Sequence, residues 1–224
     1  MKHEVLYSPS YSLVKIDMAK GEKLIAETGA MVSMSAGIKI QTNMKGGFFG
    51  ALKRNILGGE SFFMNTFTAD DDGHLTLAPS LPGDIKAIEL QNSALLIQSG
   101  SYIASTEGIE IDTKWGGAKS FISREGFFWL RAQGSGTVYI SSYGAIHELD
   151  LAPGEHYTVD TGHMVAFDET VNYSVRKVGG LKSTFLSGEG LVCNLTGPGK
   201  ITLQTRSEDA FLGWLIPKIP SKKN

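Results

Sequence analysis

Three stretches of the chain repeat one pattern, which constrains the fold to copies of a unit of about 60 to 70 residues. They read GEKLIAETGAMVSM from Gly21, SALLIQSGSYIAST from Ser93 and GEHYTVDTGHMVAF from Gly154. Each has a strand-like run, a turn glycine (Gly29, Gly100 or Gly162) and a second apolar run. Glycine pairs follow at Gly46-Gly47, Gly116-Gly117 and Gly179-Gly180, which lie 17, 16 and 17 residues beyond those turns. Each unit then reaches an acid, Glu60, Glu125 or Glu189, and a segment that reads as a two-strand hairpin. Gly73, Gly136 and Gly199 lie in the turns of those hairpins.

Within the units, residues alternate as in half-buried strands, as in Thr137-Val138-Tyr139-Ile140 and Ile201-Thr202-Leu203-Gln204. Glycine, at 27 of 224 residues, is about 12% of the chain against about 7% in an average protein, and such an excess suits many tight turns between short strands. The sequence therefore predicts an all-β protein of three tandem, sandwich-like units over about 5–80, 81–145 and 146–206, with an apolar and basic tail over 207–224. Units this small lie near the lower limit for an independent core. They are expected to pack into one composite domain, 1–224, around a pseudo-threefold axis.

Charge narrows the partners. Lysine and arginine total 21 against 23 acids, a net charge of -2, which argues against a dedicated nucleic-acid binder. The single cysteine, Cys193, has no internal disulfide partner, and the opening Met1 to Val5 lacks the apolar core of a secretory signal. No stretch approaches the roughly 20 apolar residues that span a bilayer. The expectation is a cytoplasmic protein whose contact with membranes is peripheral.

Several motifs imitate chemistry. Asp160-Thr161-Gly162 has the letters of an aspartic-protease turn, but the equivalent places hold Glu27-Thr28-Gly29 and Gln98-Ser99-Gly100, so it reads as a recurrent corner lacking a second catalytic aspartate. His156 and His163 lie as in the second signature of metal-binding cupins, yet the paired His-x-His and the glutamate of an earlier strand are missing. His3, His74 and His147 are scattered. The turn Asp70-Asp71-Asp72-Gly73 lacks the further spaced oxygens of a calcium loop, and neither Gly197-Pro198-Gly199-Lys200 nor Gly179-Gly180-Leu181-Lys182 completes a phosphate loop. Cys193 reads as an ordinary strand thiol. No catalytic residue, metal site or cofactor is predicted. The recurrent acids Glu60, Glu125 and Glu189 could converge on an axis as a shared polar or cation site, but capping of each unit's own turn is the favoured role.

Two apolar stretches fall outside the repeat and are the candidate contact surfaces. In the first, 46–59, Phe48, Leu52 and Ile56 recur at helical spacing beside Phe49, with Lys53 and Arg54 on another side, as in a short amphipathic helix. The second is the tail, where Phe211, Trp214 and Leu215 precede Lys218, Lys222 and Lys223. That composition suits packing on the chain's own core, a subunit contact or an interfacial anchor.

The runs GESFFMNTFTA, LTLAPSLPGDI, GSGTVYISSYGAI, DTGHMVAFD and GLVCNLTGPGKITLQTR resemble the family named for altered inheritance of mitochondria, over about Val5 to Arg206. This resemblance implies a fold like that of the tryptophan RNA-binding attenuation protein (TRAP), with three such β-units fused in one chain within the double-stranded β-helix class. It implies no catalytic residues. The family's mitochondrial members are associated with the inner membrane, but an Arg-rich transit peptide is missing here, so the organelle is not carried over. The first expectation is a non-enzymatic scaffold or assembly protein that forms a homo-oligomer, meets an unidentified protein partner and touches membranes peripherally. A small-ligand or RNA-binding module is the alternative, and a cupin-like metal-dependent enzyme ranks third.

Overall fold

A computed structural model describes residues 1–42, 64–112, 128–177 and 191–220. Alternation sets the first strands. β1 (Lys2–Leu6) leads into β2 (Leu13–Met18), where Val14, Ile16 and Met18 point inward and the residues between them do not. The first segment continues with β3 (Lys23–Glu27), β4 (Met31–Met34), β5 (Ile38–Thr42), β6 (Met64–Ala69) and β7 (Gly73–Leu77). The second has β8 (Ile85–Gln98), β9 (Tyr102–Thr106), β10 (Ile109–Asp112) and β11 (Trp129–Ser141). The third has β12 (Ile146–Leu151), β13 (His156–Asp160), β14 (Met164–Asp168), β15 (Asn172–Lys177), β16 (Leu191–Thr196) and β17 (Gly199–Gln204), before helix α1 (Glu208–Leu215). Among the described residues the protein is all-β apart from that helix and short 3-10 turns, and its strand ladders are antiparallel.

One pairing order recurs. In the first segment β6 pairs with β3 and β5, while β7 pairs with β2 and β4. In the third, β16 pairs with β13 and β15, while β17 pairs with β12 and β14. The middle segment makes the same four ladders with two long strands, the first half of β11 pairing with β10 and the end of β8, its second half with β9 and the start of β8. The stretches read as closing hairpins are therefore not hairpins. β6 and β7 lie in different sheets, as do β16 and β17, and β11 runs straight through Gly136. Backbone contacts beside these places tie the strands to other glycines: the N–H of Asp70 donates to the Gly37 carbonyl, and that of Ser135 donates to the Gly108 carbonyl. β11 carries a bulge at Gly134/Ser135, where Gly134 has φ +129° and a Cβ would stand 2.2 Å from the Gly108 carbonyl oxygen.

Two further ladders join the segments. β3 pairs with β9, and the end of β8 pairs with β14. The buried residues form three clusters, each drawing on neighbouring segments. Val14, Leu24 and Phe67 meet Ile103 and Tyr139; Met64 and Val165 flank a middle core around Leu130 and Val138; Leu96 and Trp129 sit with Phe167, Leu195 and Ile201. Trp129 is fully buried, edge-on to Phe167 at 4.7 Å between ring centres, and its Nε1 has no hydrogen-bond partner among the described residues. Trp129→Ala should cost about 3–5 kcal/mol of stability in urea denaturation. Trp129→Phe should cost about half as much, since it removes the unpartnered N–H along with the indole's bulk.

Candidate functional site

The corner turns Glu27-Thr28-Gly29, Gln98-Ser99-Gly100 and Asp160-Thr161-Gly162 all contribute to one cleft at a rim of the molecule, about 270 Å³ in volume. Glu27, Gln98, Gly100, Thr161 and Gly162 line it, with Ser141, Ser142 and Tyr143 from the end of β11 and Gln204, Glu208 and Asp209 from the end of the third segment. In the third turn, Asp160 Oδ1 accepts from the Gly162 N–H at 2.8 Å, which fixes this aspartate as a turn cap rather than a catalytic acid. Gln204 ties the rim together, donating from Nε2 to the Gly162 carbonyl and accepting from the Tyr143 N–H, both at 2.8 Å. The lining is polar and acidic, and so offers a poor seat for phosphate.

Burial pushes the Glu27 carboxyl up to about 7. Its folded form binds a proton more tightly than the unfolded chain does, so the stability it contributes is full below about 4.5 and is lost as pH rises through about 7. Burial likewise lifts the Cys193 thiol to about 12, in a strand interior where the thiolate nucleophile does not form at neutral pH. His163 Nδ1 sits 2.8 Å from the Gln204 carbonyl and His156 Nδ1 sits 2.9 Å from Thr196 Oγ1, each in its own turn or strand contact. Among the described residues, no three His, Cys, Asp or Glu side chains cluster as metal ligands would. The acidic turn is occupied by lysines: Lys39 pairs with Asp70, Lys20 Nζ lies 3.2 Å from Asp71, and the Lys20 N–H donates to Asp72 at 2.8 Å.

Beside the cleft stands α1, formed by the stretch that composition marks only as an apolar tail. Ser207 caps it by accepting from the Ala210 N–H, and Glu208 and Asp209 fall in its first turn, a start signal that was present in the sequence. Its apolar residues are only loosely seated. Phe211 meets Tyr143 edge-on at 6.1 Å and stacks with Trp214 at 6.3 Å, Leu215 is half-buried, and Lys218 Nζ lies 5.1 Å above the Trp214 ring. Phe211, Leu212, Trp214, Ile216 and Ile219 remain exposed. No helix among the described residues is long and apolar enough to cross a membrane.

Of the predicted contact residues, Phe211, Trp214, Leu215 and Lys218 are thus brought together at the rim. Phe48, Phe49, Leu52, Lys53, Arg54 and Ile56, and the acids Glu60, Glu125 and Glu189, lie outside the described residues. Sequence reasoning missed Glu27 as a perturbed group, although its place in the repeat, equivalent to Gln98 and Asp160, marked a position where each segment carries a polar side chain.

A family model described as mitochondrial biogenesis AIM24 matches residues 3–206. An uncharacterised protein of Streptococcus pyogenes serotype M6 is 28% identical over 232 residues, covering 100% of this chain and 93% of that protein. A crystal structure of a Streptococcus pyogenes protein from a structural genomics programme superposes with a TM-score of 0.82 at 27% identity, covering 97% of this chain and 99% of the other.

Replacing the buried carboxyl should reveal its pH linkage. Glu27→Gln should raise stability at pH 8 by about 1–2 kcal/mol, a figure discounted for the carboxyl's partial exposure, with little change at pH 4.5. Thermal unfolding of both proteins across that window checks it.

Proposed function

The chain belongs to the AIM24 family, and from that premise we propose that it is a non-enzymatic scaffold whose tail helix is a contact surface. The observation that carries this reading is the helix itself: a row of exposed aromatic and aliphatic side chains with Lys218 over the Trp214 ring, beside the cleft. Indole beside ammonium suits the headgroup boundary of a membrane and equally suits an aromatic anchor in a protein interface. The same reading takes the three segments as TRAP-like units of one composite domain, 1–224, with approximate limits 5–80, 81–145 and 146–206. The recurrent pairing order within each segment supports it. The rim cleft favours a second reading, a small-ligand module, because all three repeated corners line it; its acidic lining directs that reading toward a polar or cationic molecule rather than RNA.

The tail supplies the test. Trp214→Ser with Ile216→Ser should leave the far-ultraviolet spectrum and melting temperature unchanged while weakening binding to phosphatidylserine-containing vesicles, or the self-association constant, by about tenfold. Loss of vesicle binding assigns the contact to a membrane surface, and loss of self-association assigns it to a subunit. A variant that alters neither contradicts the scaffold reading.

A further inference from the structure

The three corners that line the rim cleft differ in one respect. Each carries a polar side chain two residues before its turn glycine, and in two of them that side chain is satisfied within its own corner. Asp160 accepts from the Gly162 N–H at 2.8 Å, and Gln98 Oε1 accepts from the Ser101 hydroxyl at 3.2 Å. Glu27 is the exception. The serine that serves Gln98 is replaced there by Ala30, and the Glu27 carboxyl has no hydrogen-bond or ion-pair partner among the described residues. Burial is what raises its pKa, with no neighbouring cation to oppose the effect.

A second polar group of the cleft is also unmatched. Ser141 is 4% exposed and lines the cleft, and its hydroxyl has no hydrogen-bond partner among the described residues, whereas the adjacent Ser142 donates to the Gly144 carbonyl at 2.6 Å. Glu27 ends β3 and Ser141 ends β11, and both strands pair with β9, so the two residues reach the rim on either side of one strand. Polar groups held out of water usually have partners, and these two border open space that a ligand could fill. The rest of the lining sets the ligand's charge. Glu208 and Asp209, in the first turn of α1, bring two more carboxyls, and no lysine, arginine or histidine is among the lining residues. A metal ion would need such carboxyls within about 2.6 Å of one centre. Among the described residues no such group of ligands exists. An extended organic cation can instead meet acids at separate points. The cleft, at about 270 Å³, falls just under the roughly 300–1,000 Å³ of pockets for drug-sized ligands, so that cation is small.

We infer that the rim cleft binds a small aliphatic diamine, one ammonium donating to the Glu27 carboxylate and the other to Glu208 or Asp209, with the Ser141 hydroxyl as a further polar partner. The inference names a ligand class for the small-ligand reading and rests on it. Ammonium pairs with the ionised form of Glu27, so binding draws a proton off this carboxyl whenever the pH lies near or below about 7. The other titratable groups around Glu27 are Glu208 and Asp209 of α1, Tyr143 after β11, and Tyr102 of β9, whose pKa burial raises. β6, on the other side of β3, carries none.

Calorimetric titration of the full chain with butane-1,4-diamine at pH 8 tests this. Wild type should bind it, and Glu27→Gln should weaken binding about tenfold, as should Glu208→Gln combined with Asp209→Asn. Asp17→Asn, at an exposed acid outside the lining, should leave binding unchanged. In wild type the affinity should fall about tenfold from pH 8 to pH 6, a dependence that Glu27→Gln should lose. Equal binding of the uncharged butane-1,4-diol overturns the cation and leaves a polar small-ligand site standing. Binding of neither compound overturns the inference and removes the support that the cleft gives to the small-ligand reading. Diamine binding that is indifferent to Glu27→Gln overturns the assigned site.

Discussion

A β-strand has two hydrogen-bonding edges, and the arrangement of this protein follows from which edges are spent inside a segment and which are left for a neighbour. Within each segment four ladders use strands in the same order, leaving one leading edge and one receiving edge. The ladders between β3 and β9 and between β8 and β14 consume two such pairs of edges and make the cores continuous across the boundaries. Tyr102 ties the first of these joints further, its hydroxyl donating to the Ile25 carbonyl across the ladder at 3.3 Å. Units of this size have little apolar area to bury alone, so cores that borrow from neighbouring segments answer a thermodynamic need as well as a topological one.

The surface features follow from the same plan. Because each segment turns its corner at an equivalent place, the polar residues of those corners gather along one rim, where Glu27 is held in its neutral form more readily than a solvated carboxylate. The chain then leaves its last strand at that rim and forms α1, whose apolar side finds Tyr143 but little else to cover it. Beneath it, Cys193 is sealed in a strand interior and Asp160 caps its own turn.

The all-β class was legible in the sequence because alternation is a local signal. Gly29, Gly100 and Gly162, read from sequence as turn glycines, each lie between two successive strands. Glycine turns alone misled where they were read as hairpins: Gly73, Gly136 and Gly199 look alike whether a strand folds back on its neighbour or crosses to another sheet, and only the partners of β6, β11 and β16 tell the two apart. The exposure of β4 was equally hidden. Met31-Val32-Ser33-Met34 has the same apolar character as its buried counterparts, so its exposure reflects its place at the end of a series and not its composition. The helix start at Ser207-Glu208-Asp209 is a local signal too, but a short one, and the apolar residues after it suit a packed tail as well as a helix.

Each segment joins the next through one shared edge-to-edge register. Hydrogen exchange of the strand amides reads both joints at once. Slow exchange is expected in β9 and β14 alike, at the rate of global unfolding. Exchange in either strand as fast as in the outer strand β1 would contradict cores made continuous by those joints.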